Sequence, residues 1–417
     1  MPLGEPDTFN RERIWLVNLF FGSGVAPTGL LLESVAVGLT EAGLDVQVLT
    51  GRATYNRGSE SVSHRFPGPV RQIYTGLAHS LGFLGRLLTW LTFYFGVIWY
   101  TFTHRVPDKV LVLSTPPFLH SIFVLRNMFV RRKAQLILWN QDTFPETLGA
   151  VGILRTNSLF YRLLLTVQRW STSRVDKVIV LDQAMKQILE QHGARRITII
   201  PNWQNDLTPA SDLEQNDVNK RIQDARRSFR YIVVYTGNYG WGHDLGILFE
   251  WLRSHPDQRD FFFLFVGGGE KWNQLEDLQA MIKAANDSAP ESVGVFPYVA
   301  TSQYPGLLDQ ADFGMAALEE ACLGLQSPSK IHGYLAHGKP LLYIGPKRSN
   351  VADAIEQYQC GFQIDEHDIV GLERCLAGLL SAQFDYASLS RRAEWASVAR
   401  YVERVGVSGV VAFVVDR

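Results

Sequence analysis

Residues 327–345, SPSKIHGYLAHGKPLLYIG, carry most of a phosphate-loop pattern, with Gly333 followed at the right distance by Gly338 and Lys339. A phosphate loop runs from a strand through its glycines into a helix, so that the N–H groups of the first helical turn face the phosphates. The order here is the reverse. Ile331, Tyr334 and Leu335 have helical spacing, Gly338 fits a helix stop, and PLLYIG (340–345) reads as a strand. Pro340 stands where the pattern needs Ser or Thr. The stretch is therefore helix, glycine stop, strand, and no triphosphate site. Interest moves to the start of the helix. Ser327 or Ser329 fits the cap, Pro328 fits the first turn, and Lys330 adds a full charge to the partial positive charge of the helix end. Two readings stand: a diphosphate site, or an ordinary capped helix with a surface lysine.

The same alternation extends outward in both directions. Strands are expected at 13–20, 45–51, 109–115, 135–140, 177–182 and 197–202, with helical stretches between them. A polar stretch at 206–228 has the composition of a linker, with a short helix allowed inside it. Alternation restarts at 230–237 and continues through strands at 260–269, 292–299, 312–318, 340–345 and 361–365. This predicts an α/β protein of two Rossmann-like domains, 1–205 and 229–394, each with a parallel sheet. The apolar tail, 395–417, is expected to return to the first domain. Ligands of such sheets sit beyond the carboxyl ends of the strands, which makes the interdomain cleft the expected site.

Bulk composition agrees with a two-domain globular chain: 417 residues, 46% of them apolar, with a formal net charge of -1. No overall basic field argues for nucleic acid. Cys322, Cys360 and Cys375 are odd in number and scattered, which suits a reduced, cytoplasmic protein. The first thirteen residues lack the apolar core of a signal peptide. One segment departs from the average. LLTWLTFYFGVIWYTF (87–102) has no charge, and is short of the roughly 20 residues a spanning helix needs. PPFLHSIFVLRNMFVRRK (116–133) follows, apolar with a basic end. Aromatic and basic residues so mixed fit helices lying on a membrane surface, with Trp90, Phe93 and Trp99 entering it. The other readings are two core-facing helices or a true span.

The chain resembles the retaining, nucleotide-sugar-dependent glycosyltransferases of the GT-B fold, family four, almost end to end. The likeness is carried in order by GSGVAPTGLLLESVAVGLTEAGLDVQVLTG, LSTPPF, NQDTFPETLGAVGIL, VIVLDQAMKQILEQHGARRITIIPN, YTGNYGWGHDLGIL, FVGGGEKWNQLE and SPSKIHGYLAHGKPLL. The resemblance implies a nucleotide diphospho-sugar bound mainly by the second domain and an acceptor bound by the first. It implies no cofactor and no metal ion, in keeping with the lack of an Asp-x-Asp pair. Donor contacts would come from Gly237, Asn238, Gly240, His243, Gly267, Gly268, Tyr298, Val299, Glu319, Glu320 and Ser329, with Lys330 on the diphosphate. Acceptor contacts would come from Gly24, Thr28, Gly29 and Gln141. Asp142 would position the acceptor hydroxyl or take its proton, with Glu146 as runner-up.

Three departures from the family's pattern stand out. Asn238 and Gly242 or His243 replace the usual Arg and Lys of the first donor loop, so Lys330, or His243 titrating near neutrality, would supply the charge. The two family glutamates eight residues apart fall on Leu325 and Gly333, leaving Glu319 and Glu320 upstream as substitutes or as solvated acids. Gln141 replaces a histidine. The enzyme reading is a hexosyl transfer onto a lipid-linked or polysaccharide acceptor, by a peripheral protein on the cytoplasmic face of a membrane. The alternatives are a catalytically impaired scaffold or regulatory subunit that binds nucleotide sugar or a partner enzyme, and a sugar-nucleotide epimerase.

Overall fold

The computed structural model describes residues 11–22, 26–51, 64–75, 82–204, 217–285, 290–381 and 384–416. They form two compact units, Met1–Ile200 with Arg404–Arg417, and Pro201–Glu403.

The first unit is built on seven strands: β1 (Arg13–Val17), β2 (Asp45–Gly51), β3 (Val70–Ile73), β4 (Lys109–Leu113), β5 (Gln135–Trp139), β6 (Lys177–Val180) and β7 (Ile197–Ile199). They pair in parallel in the order β3-β2-β1-β4-β5-β6-β7. Helices cover both faces, so β4 (KVLVL) and β6 (KVIV) are buried along their whole length. Their first residues, Lys109 and Lys177, keep buried amines by capping the closing helix Glu403–Val415. Lys109 Nζ donates to Val414 O at 2.9 Å, and Lys177 Nζ donates to Phe413 O at 2.6 Å and to Asp416 O. Carbonyls at a helix end have no partner in the helix, so the two cations meet both the hydrogen-bond need and the dipole. β3 escapes a reading by apolar pattern because VRQI is short and keeps two polar residues exposed.

The helix Gly82–Thr103 is apolar on opposite sides. Thr89, Phe93, Val97 and Tyr100 are buried in the sheet's core, while Leu91, Phe95, Trp99 and Phe102 face outward. Of the three residues expected to enter a membrane, only Trp99 is exposed, at 72%. Phe93, at 0%, is a core residue, and Trp90 packs partly against the core. Among the described residues no helix is long and apolar enough to cross a membrane.

The second unit repeats the plan with β8 (Tyr231–Asn238), β9 (Phe261–Gly268), β10 (Val293–Pro297), β11 (Phe313–Ala317), β12 (Leu341–Ile344) and β13 (Gly361–Ile364). Their order is β10-β9-β8-β11-β12-β13, again parallel. The stretch expected to be linker contains the helix Asp217–Ser228, which buries Val218, Ile222 and Ala225. The opening segment behaves as its spacing requires: helix Lys330–Ala336, then Gly338 at φ 61°, then β12. Each unit is thus a doubly wound parallel sheet, and in each the strand order reverses at one point, between β1 and β4 and between β8 and β11.

Candidate active site

In the second unit the loops leaving β8, β9 and β11 meet at the point where strand order reverses, the place where open parallel sheets bind ligands. Glycines make the meeting possible. A Cβ on Gly267 would lie 2.0 Å from Gly237 O, and one on Gly269 would lie 2.5 Å from Tyr239 O. Gly237 itself sits at φ 92°, open to glycine and costly to other residues. Gly268 faces the Tyr298 ring, with a Cβ position 2.9 Å from it. Tyr298 is exposed, and Val299 beside it is half-buried.

Lys330 projects into this junction. Its Nζ is 3.3 Å from the centroid of the Tyr235 ring and 3.4 Å from Asn238 O, which also accepts from Tyr235 Oη at 3.0 Å. Burial pushes the lysine pKa well below its ordinary value. Among the described residues no carboxylate is paired with it. Tyr235 and Tyr239 are raised by the same burial and are neutral phenols. The helix that carries Lys330 spans only seven residues, and Ser329 at its start makes no capping bond with its side chain. The charge at this end is therefore that of Lys330.

His243 is not a second cation. Burial, with Lys330 and Lys271 nearby, lowers its pKa to about 3. Its Nδ1 lies 2.6 Å from Ala317 O, so the neutral ring donates there and leaves Nε2 as an acceptor. That bond joins the β8 loop to the end of β11, and Glu319 N→Gly242 O at 2.9 Å joins them again. A second lysine reaches this loop, Lys271, three residues past β9. Lys271 Nζ bonds Glu319 Oε1 at 2.7 Å and His243 O at 2.8 Å. Glu319 is thereby committed to an ion pair, while Glu320 is exposed with its N–H on Glu366 Oε2 at 3.0 Å. Lys271 does not stand out in the sequence because its partners lie 28 and 48 residues away; the one signal is its place two residues after the Gly267–Gly269 run.

In the first unit the candidates gather on the loop after β5. Ser114 Oγ accepts from Gln141 N at 2.9 Å and from Asp142 N at 3.1 Å, fixing this loop to the end of β4. Ser114 had drawn no attention inside LSTPPF. Gln141 is buried; Asp142 is half-buried, and its desolvation raises the carboxyl pKa to about 6. Glu146 starts the helix Glu146–Ala150 and binds His192 Nε2 at 2.6 Å. Glu146 is thus paired with a buried histidine, while among the described residues Asp142 makes no ion pair. Thr28 and Gly29 lie in the first turn of the helix Pro27–Glu41, Gly29 donating its N–H to Ala26 O at 2.8 Å. Gly24 lies outside the described residues.

Residues 29–203 match the family model of the glycosyl transferase 4-like domain. Over 298 residues, 68% of each chain, the sequence is 25% identical to the probable glycosyltransferase WbjE of Pseudomonas aeruginosa. Among solved structures, sucrose-phosphate synthase from Thermosynechococcus elongatus superposes with a TM-score of 0.69 at 13% identity, covering 96% of this chain and 97% of that one. The Anabaena protein Alr3699/HepE, in complex with UDP and glucose, gives a TM-score of 0.64 at 15% identity, covering 96% and 99%. These two likenesses are of fold. Taken with the two doubly wound sheets, the matches give this chain the GT-B fold, and residues 29–203 are similar to the glycosyl transferase 4-like domain.

Proposed function

We propose that this glycosyltransferase moves a hexose from a nucleotide diphospho-sugar to a lipid-linked or polysaccharide acceptor, with retention at the anomeric carbon and without a metal ion. The observation that carries the reading is Lys330: a half-buried cation beside the Gly237–Gly240 turn, with an aromatic face and a carbonyl for neighbours and, among the described residues, no paired carboxylate. A buried cation is costly unless a counter-charge meets it, and a diphosphate is that counter-charge. Charge grows on the diphosphate as the sugar departs, so a lysine fixed there stabilises the transition state more than the bound donor. Tyr298 flanks the base, and the Nε2 acceptor of His243 suits a sugar hydroxyl. Asp142 orients the acceptor hydroxyl or takes its proton. A neighbour of the same fold is seen with UDP and glucose, which makes UDP-hexoses the first donors to try.

The acceptor reading rests on the exposed apolar face of Gly82–Thr103 and on His120–Phe129, where Leu125, Met128 and Phe129 are exposed ahead of Arg131, Arg132 and Lys133. Such a surface supports the reading of a peripheral protein on the cytoplasmic face, where lipid-linked acceptors are held.

The test is release of nucleoside diphosphate from a panel of UDP- and GDP-sugars, with and without a polyprenyl-diphosphate acceptor. Acceptor-stimulated release is expected, unchanged by a chelator. Lys330→Ala should lower kcat/KM by about 10²–10³-fold, the usual loss for one such donor. Full turnover by that variant would overturn the role of Lys330, and strict dependence on manganese would overturn the metal-free reading.

A further inference from the structure

We infer that the helix Leu159–Thr172, with the turn before it, is a third docking element of the first unit, and that it selects anionic phospholipid. This deepens the membrane reading above and rests on it. The observation is an exposed apolar first turn on a helix whose later Leu164, Leu165, Val167 and Trp170 are half-buried. Its buried residues are Tyr161, Gln168, Ser171 and Thr172, whereas Leu159 (83%), Phe160 and Leu163 are exposed, as is Ile153 in the preceding turn. A helix that served only the core would turn its leucines inward and its glutamine outward.

The helix continues a surface already described. It packs beside His120–Phe129, which packs beside Gly82–Thr103. His120 Nε2 and Ser171 Oγ, 2.9 Å apart, tie the first two together. Exposed apolar residues so stand on three successively packed helices, among them Phe95 and Trp99, Met128 and Phe129, and Leu159 and Phe160. Charge names the occupant. From residue 71 to 175 the sequence has twelve Lys or Arg and three Asp or Glu, in a chain whose net charge is -1. Arg155 and Arg162, on either side of Leu159, are exposed, and neither is paired with a carboxylate among the described residues. Apolar side chains ringed by unpaired arginines fit an anionic bilayer. The loop bearing Asp142 adjoins this element: a Cβ on Gly149 would lie 2.9 Å from the Tyr161 ring, and Leu154 N–H donates to Leu148 O. A lipid headgroup held here is delivered beside the acceptor loop.

The experiment is flotation of the full chain with vesicles of phosphatidylcholine, with or without phosphatidylglycerol. Wild type should float with the anionic vesicles and weakly with the neutral ones. R155E/R162E should partition about thirtyfold less into anionic vesicles, from roughly one kcal/mol per basic residue at the surface. L159S/F160S/L163S should lose flotation on both, while melting and detergent-phase donor cleavage stay as in wild type. If that triple variant floats like wild type and F95S/W99S/F102S does not, the third element is overturned and the older membrane reading survives. If wild type floats with neither vesicle, both fall, and donor cleavage still reports on the transferase separately. A dimer in lipid-free buffer that L159S/F160S/L163S dissolves would assign the face to a second copy and overturn the proposal.

Discussion

Burial moves the pKa values of Asp142 and Lys330 in opposite directions. The Asp142 carboxyl rises to about 6, and the Lys330 ammonium falls well below the ordinary lysine value. Asp142 must be ionised to accept a proton, so kcat/KM rises with pH through about 6. Lys330 must be charged, so kcat/KM falls again as pH climbs through the lowered lysine pKa. A bell-shaped profile is expected, and Asp142→Asn should erase its acid limb while costing about 10²–10⁴-fold in rate. A flat profile through the acid limb in wild type would remove Asp142 from the chemistry. The same shift is a stability statement. A carboxyl whose folded pKa is raised stabilises the fold fully below its unfolded pKa and loses that contribution as pH passes the folded value. Asp142→Asn should therefore melt higher than wild type near neutral pH, with the gap closing below about pH 4.

Among the elements, the segment bearing Lys330 is positioned by one close approach. A Cβ on Gly314 of β11 would lie 2.2 Å from the Tyr334 ring, and Tyr334 Oη holds Thr236 N at 2.8 Å on β8. Gly314→Ala should push the helix outward, and both donor affinity and melting temperature should fall by overpacking, by about 1–3 kcal/mol in stability. The C-terminal helix has its own lock. Lys177→Met leaves the carbonyls of Phe413 and Asp416 without their buried donor, and should cost about 1–3 kcal/mol in a denaturant melt with donor affinity unchanged. At this scale the sequence was most legible. Strands such as FFFLFV and KVLVL are unbroken apolar runs, and Gly43 and Gly338 stop helices where their positive φ values show they must. The exposed apolar start of the helix Leu159–Thr172 was not legible, because leucines that face outward and leucines that face a core have the same spacing.

For the molecule as a whole, chain order was readable and long-range pairing was not. The alternation of strand and helix carries two doubly wound sheets, since parallel strands need crossovers and right-handed crossovers leave few arrangements. What a site residue touches is set by folding. His243 looks like a neutral-range titrating group until Ala317 O and two lysines surround it, and Glu146 looks catalytic until His192 is found against it. Lys330 stood in the sequence between two readings, a diphosphate site and a capped helix with a surface lysine; its seat on the Tyr235 ring and Asn238 O comes only with the fold. The claim on which the rest depends is that this lysine, in place of an ion, meets the donor diphosphate. Calorimetric titration of UDP and GDP into wild type and Lys330→Gln, in the presence of a chelator, tests it directly. The account predicts binding by wild type and about 10–100-fold weaker binding by the variant, the loss of one charge-assisted contact. Equal affinity of the two proteins, or wild-type binding that appears only when manganese is supplied, would contradict it.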